Sequence, residues 1–179
     1  GVAYDLLPQH ITETRLAGEL AEDYVCRLAR AKAESAMNSL SEKNDAAVIG
    51  SDTTVVLEDE IFEKPVDGED AKRMLSALSG KTHHVLTAVA LATAENTEVL
   101  LSDSEVTFRP LTHEEISQYW ATGEPADKAG AYGIQGLGAL FVKEIKGSYS
   151  GIMGLPVTET AILLGRVGLT ADKIMELNQ

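Results

Sequence analysis

The stretch from Ala46 to Leu57 constrains the fold more than any other part of the chain. Ala46-Ala47-Val48-Ile49-Gly50 has the unbroken apolar character of a strand buried on both faces, and Val55-Val56-Leu57 resumes it. Between them stands Ser51-Asp52-Thr53-Thr54. A carboxylate in such a strand must be paired, metal-bound or set at the strand's open end, because a lone buried charge is too costly. The stretch therefore predicts a central strand and marks Asp52 as a candidate for chemistry. The structural alternative is a turn in which Thr53 and nearby amides hydrogen-bond the acid.

The flanking segments alternate between helical and strand patterns, which predicts an α/β fold. From about Glu19 to Leu40, Ala21, Val25, Leu28, Ala29, Ala36 and Leu40 share one narrow stripe, while Asp23, Arg27, Arg30 and Glu34 point away from it. Lys32 projects onto the middle of that stripe, where it either snorkels past its neighbours or faces an anionic site. After a turn at Glu58-Asp59-Glu60, Ile61 to Pro65 reads as a short return strand carrying Lys64. Asp67 begins a second helix that Gly80 ends. Thr82–Thr93 and Glu98–Arg109 read as an antiparallel pair. Thr112 and Glu115 form a capping box for a short helix, Gly130–Gly138 is a glycine-rich loop, and Ala139–Ile145 reads as a strand. Pro156 opens a helix ending near Gly165–Gly168, and the tail after Thr170 reads as a frayed one.

Composition narrows the partners. The net charge is −13 over 179 residues, so the surface repels phosphate backbones and non-specific nucleic-acid binding is not expected. A small anionic ligand would need deliberately placed cations, and Lys32 and Lys64 are the lysines in unexpected positions. Two unit charges 4 Å apart interact by ~4 kcal/mol at an effective dielectric of 20, enough to orient a phosphate or hold one carboxylate. An ordinary pair, with Lys64 bridging to Glu63 or Asp67, is the alternative. No apolar run reaches the ~20 residues of a membrane span. The opening residues lack the pattern of a signal peptide, and the single Cys26 allows no internal disulfide, so a cytoplasmic location is expected. His83 and His84, adjacent on a strand, face opposite sides and suit no shared metal. The loop from Asp127 to Gly138 lacks a P-loop ending; its glycines allow close backbone approach to a ligand, or simple flexibility.

At these residues the sequence resembles the Maf family of nucleoside triphosphate pyrophosphatases. The blocks are Tyr24 to Ala33, Gly50 to Val56, Glu63-Lys64-Pro65, Leu78 to His83, Val106-Thr107-Phe108, Asp127 to Gly136, Gly147-Ser148-Tyr149 and Gly154-Leu155-Pro156, in the family's order. The resemblance implies an inosine-triphosphatase-like α/β fold: a mixed, curved sheet flanked by helices, with two lobes around a cleft in one domain spanning residues 1–179. It also implies a homodimer. The implied reaction is hydrolysis of the α–β phosphate bond of a nucleoside triphosphate, with Mg²⁺ or Mn²⁺ as cofactor. Gln135 and Thr53 resemble the branch that prefers dTTP and UTP; the branch acting on 7-methyl-GTP carries a glutamate in the corresponding loop.

By the same resemblance, Asp52 is a general base for the attacking water or a ligand of the metal, and Glu13 helps hold that metal. Lys32 and Lys64 contact the phosphates, and Thr53 and Gln135 read the base. The family opens with a strand, a Ser-Pro-Arg-Arg loop and a helix, whereas Gly1-Val2-Ala3-Tyr4 matches the segment just after that helix. Without those arginines weaker substrate binding is expected, and an unpaired sheet edge would favour dimerisation or aggregation. The alternative functions are a non-catalytic nucleotide-binding regulator of cell division, inhibiting septum formation, and a generic α/β phosphatase.

Overall fold

The computed structural model describes residues 2–43 and 45–177; Gly1 of the opening segment and Asn178 and Gln179 of the tail lie outside them. Helix α1 (Ala21–Ser39) is followed by strands β1 (Val48–Leu57) and β2 (Glu60–Phe62), helix α2 (Gly68–Leu78), strands β3 (Thr82–Ala92) and β4 (Thr97–Phe108) and helix α3 (His113–Ala121). Strand β5 (Val142–Lys146) and helices α4 (Tyr149–Ile152), α5 (Val157–Arg166) and α6 (Ala171–Glu176) complete the order. The strands form one sheet in the order β2-β1-β3-β4-β5. Strand β2 pairs antiparallel with β1, Val55 facing Phe62, and β5 pairs antiparallel with β4, Val106 facing Ile145. This is the helix-flanked α/β sheet that the resemblance implied.

Local chemistry explains most boundaries. Asp67 caps α2 by accepting from the Asp70 amide at 2.9 Å, and Gly80, at φ +69°, takes the left-handed turn after its end. Thr112 and Glu115 make the predicted reciprocal capping box on α3. The β3–β4 turn closes on the Thr93 amide donating to the Asn96 carbonyl at 2.9 Å. Several boundaries differ from the pattern reading: β1 starts at Val48 rather than Ala46, and β2 takes in Glu60 and ends at Phe62, so Lys64 lies beyond the strand. Helix α1 starts at Ala21 rather than Glu19, because the Glu19 carboxylate is turned back to accept from the Leu16 amide. Residues 139–141 belong to a 3₁₀ turn, Leu137–Phe141, so β5 starts only at Val142. The short helix α4 went unpredicted; Ser148 caps it by accepting from the Gly151 amide at 3.0 Å.

The chain divides into two compact units. One holds the residues up to Asp52, Ala88–Leu101 and those from Leu155 onward; the other holds Thr53–Thr87 and Ser102–Gly154. In the first, Val89, Leu91 and Leu163 pack with Ile49 and Leu100. In the second, Phe62, Leu75, Leu78, Val106, Phe108 and Phe141 belong to a larger core. His83 is fully buried there, with its ring edge-on to Phe108 at 4.9 Å and its Nε2 2.9 Å from the Tyr132 hydroxyl. Burial first, and then neighbouring His84, push its pKa down to about 4, so it is a neutral core residue. His84 is exposed and meets Asp103 at 2.8 Å.

Gly50 sets the seat of α1 on β1. A Cβ built there would stand 2.6 Å from the Ala33 amide nitrogen and 2.8 Å from the Ala29 carbonyl oxygen, both backbone atoms of α1. Only glycine permits that approach. Gly50→Ala is therefore expected to destabilise the fold by about 1–3 kcal/mol, read as a lower urea midpoint.

Candidate functional site

The close seating of α1 brings two of the singled-out residues together. Asp52 lies two residues beyond Gly50 on β1, so its side chain leaves the same face of the strand, and Lys32 is the residue before Ala33. The Lys32 ammonium donates to Asp52 Oδ1 at 2.6 Å and pairs with Glu13 Oε1 at 2.7 Å. The Asp52 side chain is 9% exposed and that of Lys32 27%. Burial pulls the ammonium pKa down, but hydrogen bonds and charge from the two carboxylates outweigh it and leave Lys32 above its ordinary value. The lysine on the apolar stripe thus faces an anionic site and does not snorkel.

Glu13 reaches that site because the segment before α1 is clamped onto the helix. Arg27 meets both Glu19 oxygens, Nε to Oε1 at 2.6 Å and Nη2 to Oε2 at 2.8 Å. The same guanidinium donates to the Thr14 carbonyl at 3.1 Å, and the Tyr24 hydroxyl donates to the Glu13 carbonyl at 3.2 Å. The hydrogen bond from Arg27 holds the Glu19 carboxyl down to about 2, against the opposing effect of burial. Arg27, placed by pattern on the solvent face, is therefore the anchor of the segment that carries Glu13. The one sequence signal for it was an acid eight positions upstream, too far for a helical pair.

Two carboxylate oxygens here converge on a single cation, the Lys32 ammonium. Hard oxygen donors of this kind suit Mg²⁺, which is ordinarily held by one or two carboxylates with water and phosphate oxygens completing its shell. No group of three or more His, Cys, Asp or Glu able to hold a metal occurs among the described residues. Glu13 and Asp52 are two oxygen donors of the kind that could hold such an ion together with ligand oxygens.

The other singled-out residues lie in the second unit. Thr53, half-buried, follows Asp52 on β1, and its hydroxyl lies 2.9 Å from that of Thr87 on β3. Lys64 is exposed, two residues beyond the end of β2. The Glu63 carbonyl beside it accepts from the Gly130 amide at 3.1 Å, which ties this strand end to the glycine-rich loop. Gln135 is exposed at the tip of that loop and lines a pocket of about 290 Å³ with Glu124, Lys128, Tyr132, Ile152 and Met153.

Glu124 organises this loop and was not singled out from sequence. Its Oε1 accepts from the Tyr119 hydroxyl at 2.7 Å and the Gly138 amide at 3.1 Å, and its Oε2 accepts from the Leu137 amide at 2.9 Å. The Tyr119 hydroxyl accepts in turn from the Gly133 amide at 3.0 Å. The carboxylate and the phenol thus pin the loop on both sides of Gln135. Burial opposes the charge, but the two amides, the phenol and Lys128 keep the Glu124 carboxyl below its ordinary pKa. A Cβ on Gly136 would collide with this carboxylate, so the glycine spacing was the available signal. These amides are satisfied from within the protein, which distinguishes the loop from a phosphate-cradling one.

Comparison with known proteins shows the family. The sequence profile of the family described as Maf-like protein matches residues 1–167. A protein of Vibrio parahaemolyticus is 49% identical over 164 residues, covering 92% of this chain and 86% of its own length. One of Methylococcus capsulatus is 50% identical, covering 98% and 86%, and one of Aromatoleum aromaticum is 56% identical, covering 88% and 78%. All three are named dTTP/UTP pyrophosphatase.

The depressed pKa of Glu19 gives a test of the clamp. Its contribution to stability is fully present above the ordinary carboxyl range, near pH 4.5, and is lost as pH falls towards about 2. Glu19→Gln is expected to flatten that part of the stability-against-pH curve and to speed amide exchange at Leu16, measured by hydrogen–deuterium exchange.

Proposed function

The chain belongs to the Maf-like protein family, and from that premise we propose that it is a nucleoside triphosphate pyrophosphatase acting on dTTP and UTP. The observation that carries the reading is the Lys32 bridge between Asp52 and Glu13. The relatives' names favour hydrolysis over a purely regulatory role.

In this reading a water attacks the α-phosphorus, its proton passes to the Asp52 carboxylate, and the bond from the α-phosphorus to the α–β bridging oxygen breaks. The products are a nucleoside monophosphate and pyrophosphate. Lys32 holds the acid in place through Oδ1 and adds positive charge where negative charge accumulates. Lys64 supplies a second cation for the phosphates. Glu13 and Asp52 would hold Mg²⁺ or Mn²⁺, which when bound supplies charge neutralisation on phosphate oxygens. Gln135, with one donor and one acceptor on its amide, pairs with the base, and Thr53 adds a second contact. A homodimer and a cytoplasmic location belong to the same reading. Exposed Leu137 and Leu140 offer apolar surface to a second copy, and no helix among the described residues is long and apolar enough to cross a membrane.

The decisive measurement is phosphate release from UTP and dTTP with Mg²⁺ and added inorganic pyrophosphatase. Asp52→Asn is expected to lower the rate by about 10²–10⁴-fold, and equal rates would overturn the reading. Glu124→Gln, which keeps the side-chain shape but weakens the loop's anchor, is expected to raise KM for UTP several-fold with a smaller change in kcat, measured by steady-state kinetics.

A further inference from the structure

The Thr53 hydroxyl belongs to a chain of hydrogen bonds whose direction can be worked out. Thr87 is fully buried, and its hydroxyl donates to the Gly151 carbonyl at 2.8 Å. A hydroxyl has one proton. With that proton committed to Gly151, the contact between Thr53 and Thr87, 2.9 Å between oxygens, needs Thr53 as donor. The carbonyl at the end of the chain is held fast. It also accepts from the Gly154 amide at 2.8 Å, and the Gly151 amide is bound by the Ser148 hydroxyl at 3.0 Å. The Thr53 proton therefore points inward, and the outer side of its oxygen presents lone pairs only.

Gly154 adjoins this hydroxyl. A Cβ on Gly154, at φ +106°, would stand 3.6 Å from Thr53 Oγ1, so a side chain there would lie against the hydroxyl. Gly154 follows Met153, which lines the same pocket as Gln135. The Gln135 amide can turn over and offer either a donor or an acceptor. By itself it pairs with uracil, thymine or cytosine. Uracil and thymine carry a donor at N3, whereas cytosine carries an acceptor there. A contact of fixed polarity has to make the choice.

We propose that Thr87 is a positioning residue that makes Thr53 an acceptor-only contact, favouring bases with an N3–H over cytosine. The inference rests on the pyrophosphatase reading and deepens it: the preference for uracil and thymine is set by a buried hydroxyl that touches no substrate. Cytosine N3 meets the Thr53 oxygen lone pair to lone pair.

The test is equilibrium binding of the non-hydrolysable α,β-methylene analogues of UTP and CTP, with UTP hydrolysis by the unaltered protein followed in parallel. Thr87→Val keeps the side-chain shape and releases the Thr53 proton. The ratio of UTP-analogue to CTP-analogue affinity is expected to fall about tenfold, and Thr87→Ser to restore it. A merely structural role for Thr87 would weaken both analogues together. A folded Thr87→Val protein with an unchanged ratio overturns the inference. Should that variant not fold, Thr53→Val removes the acceptor itself, and a ratio that does not fall overturns the inference equally. The two readings fail separately. A protein that discriminates the analogues through Thr87 but leaves UTP intact loses the hydrolytic function and keeps the relay. A protein that hydrolyses UTP with a ratio indifferent to both variants loses the relay alone.

Discussion

Backbone contact between a helix and a strand at Gly50 underlies the chemistry of the first unit. A side chain at that position would force α1 away from β1, and Lys32 would lose its reach to Asp52. With glycine there, the ammonium settles between two carboxylates from separate parts of the chain. The arrangement explains how an acid persists on a strand as apolar as Val48–Leu57. Its charge is matched by a hydrogen-bonded cation, which removes most of the cost of burial.

The second unit solves a different problem, that of holding a loop rich in glycine in one shape. Glycines permit the backbone to come close to other groups, but they also increase the entropy lost on ordering. Glu124 and Tyr119 offset that loss with three hydrogen bonds from loop amides on either side of Gln135 and a fourth to one another. A carboxylate from within the protein occupies the loop amides, so the loop suits a neutral base better than a phosphate. In the proposed reading, recognition of a base depends on hydrogen-bond polarity, and that polarity is fixed where protons have only one place to go. The buried hydroxyl of Thr87 is such a place.

Much of the architecture could be read from local pattern. The apolar stripe of α1, the Asp67 cap of α2, the capping box of α3 and the long β3–β4 pair all follow from short-range rules, and short-range rules are what a sequence displays directly. Two of the misread boundaries lie beside contacts that local pattern does not display. The Glu19 carboxylate is claimed by Arg27, eight positions on, and just before residues 139–141 the Leu137 and Gly138 amides are claimed by Glu124. Of the candidate residues, Asp52 and Lys32 stood out because each broke an apolar pattern. Glu124, Tyr119 and Thr87 broke none: an acid in a loop, a tyrosine on an apolar face and a threonine in a strand are all locally ordinary.

By itself the sequence determined the α/β class, the order of most elements and the presence of an acid and an amine where apolar residues belong, since periodicity and capping act over a few residues. It also carried the family likeness. Only the tertiary structure decided which charges meet, that Lys32 is shared by Glu13 and Asp52, that Arg27 anchors the segment before α1, and which way the proton of Thr53 points. Those outcomes depend on distances between residues remote in the chain, and a hydrogen bond or ion pair exists only once folding has brought its partners within about 3 Å.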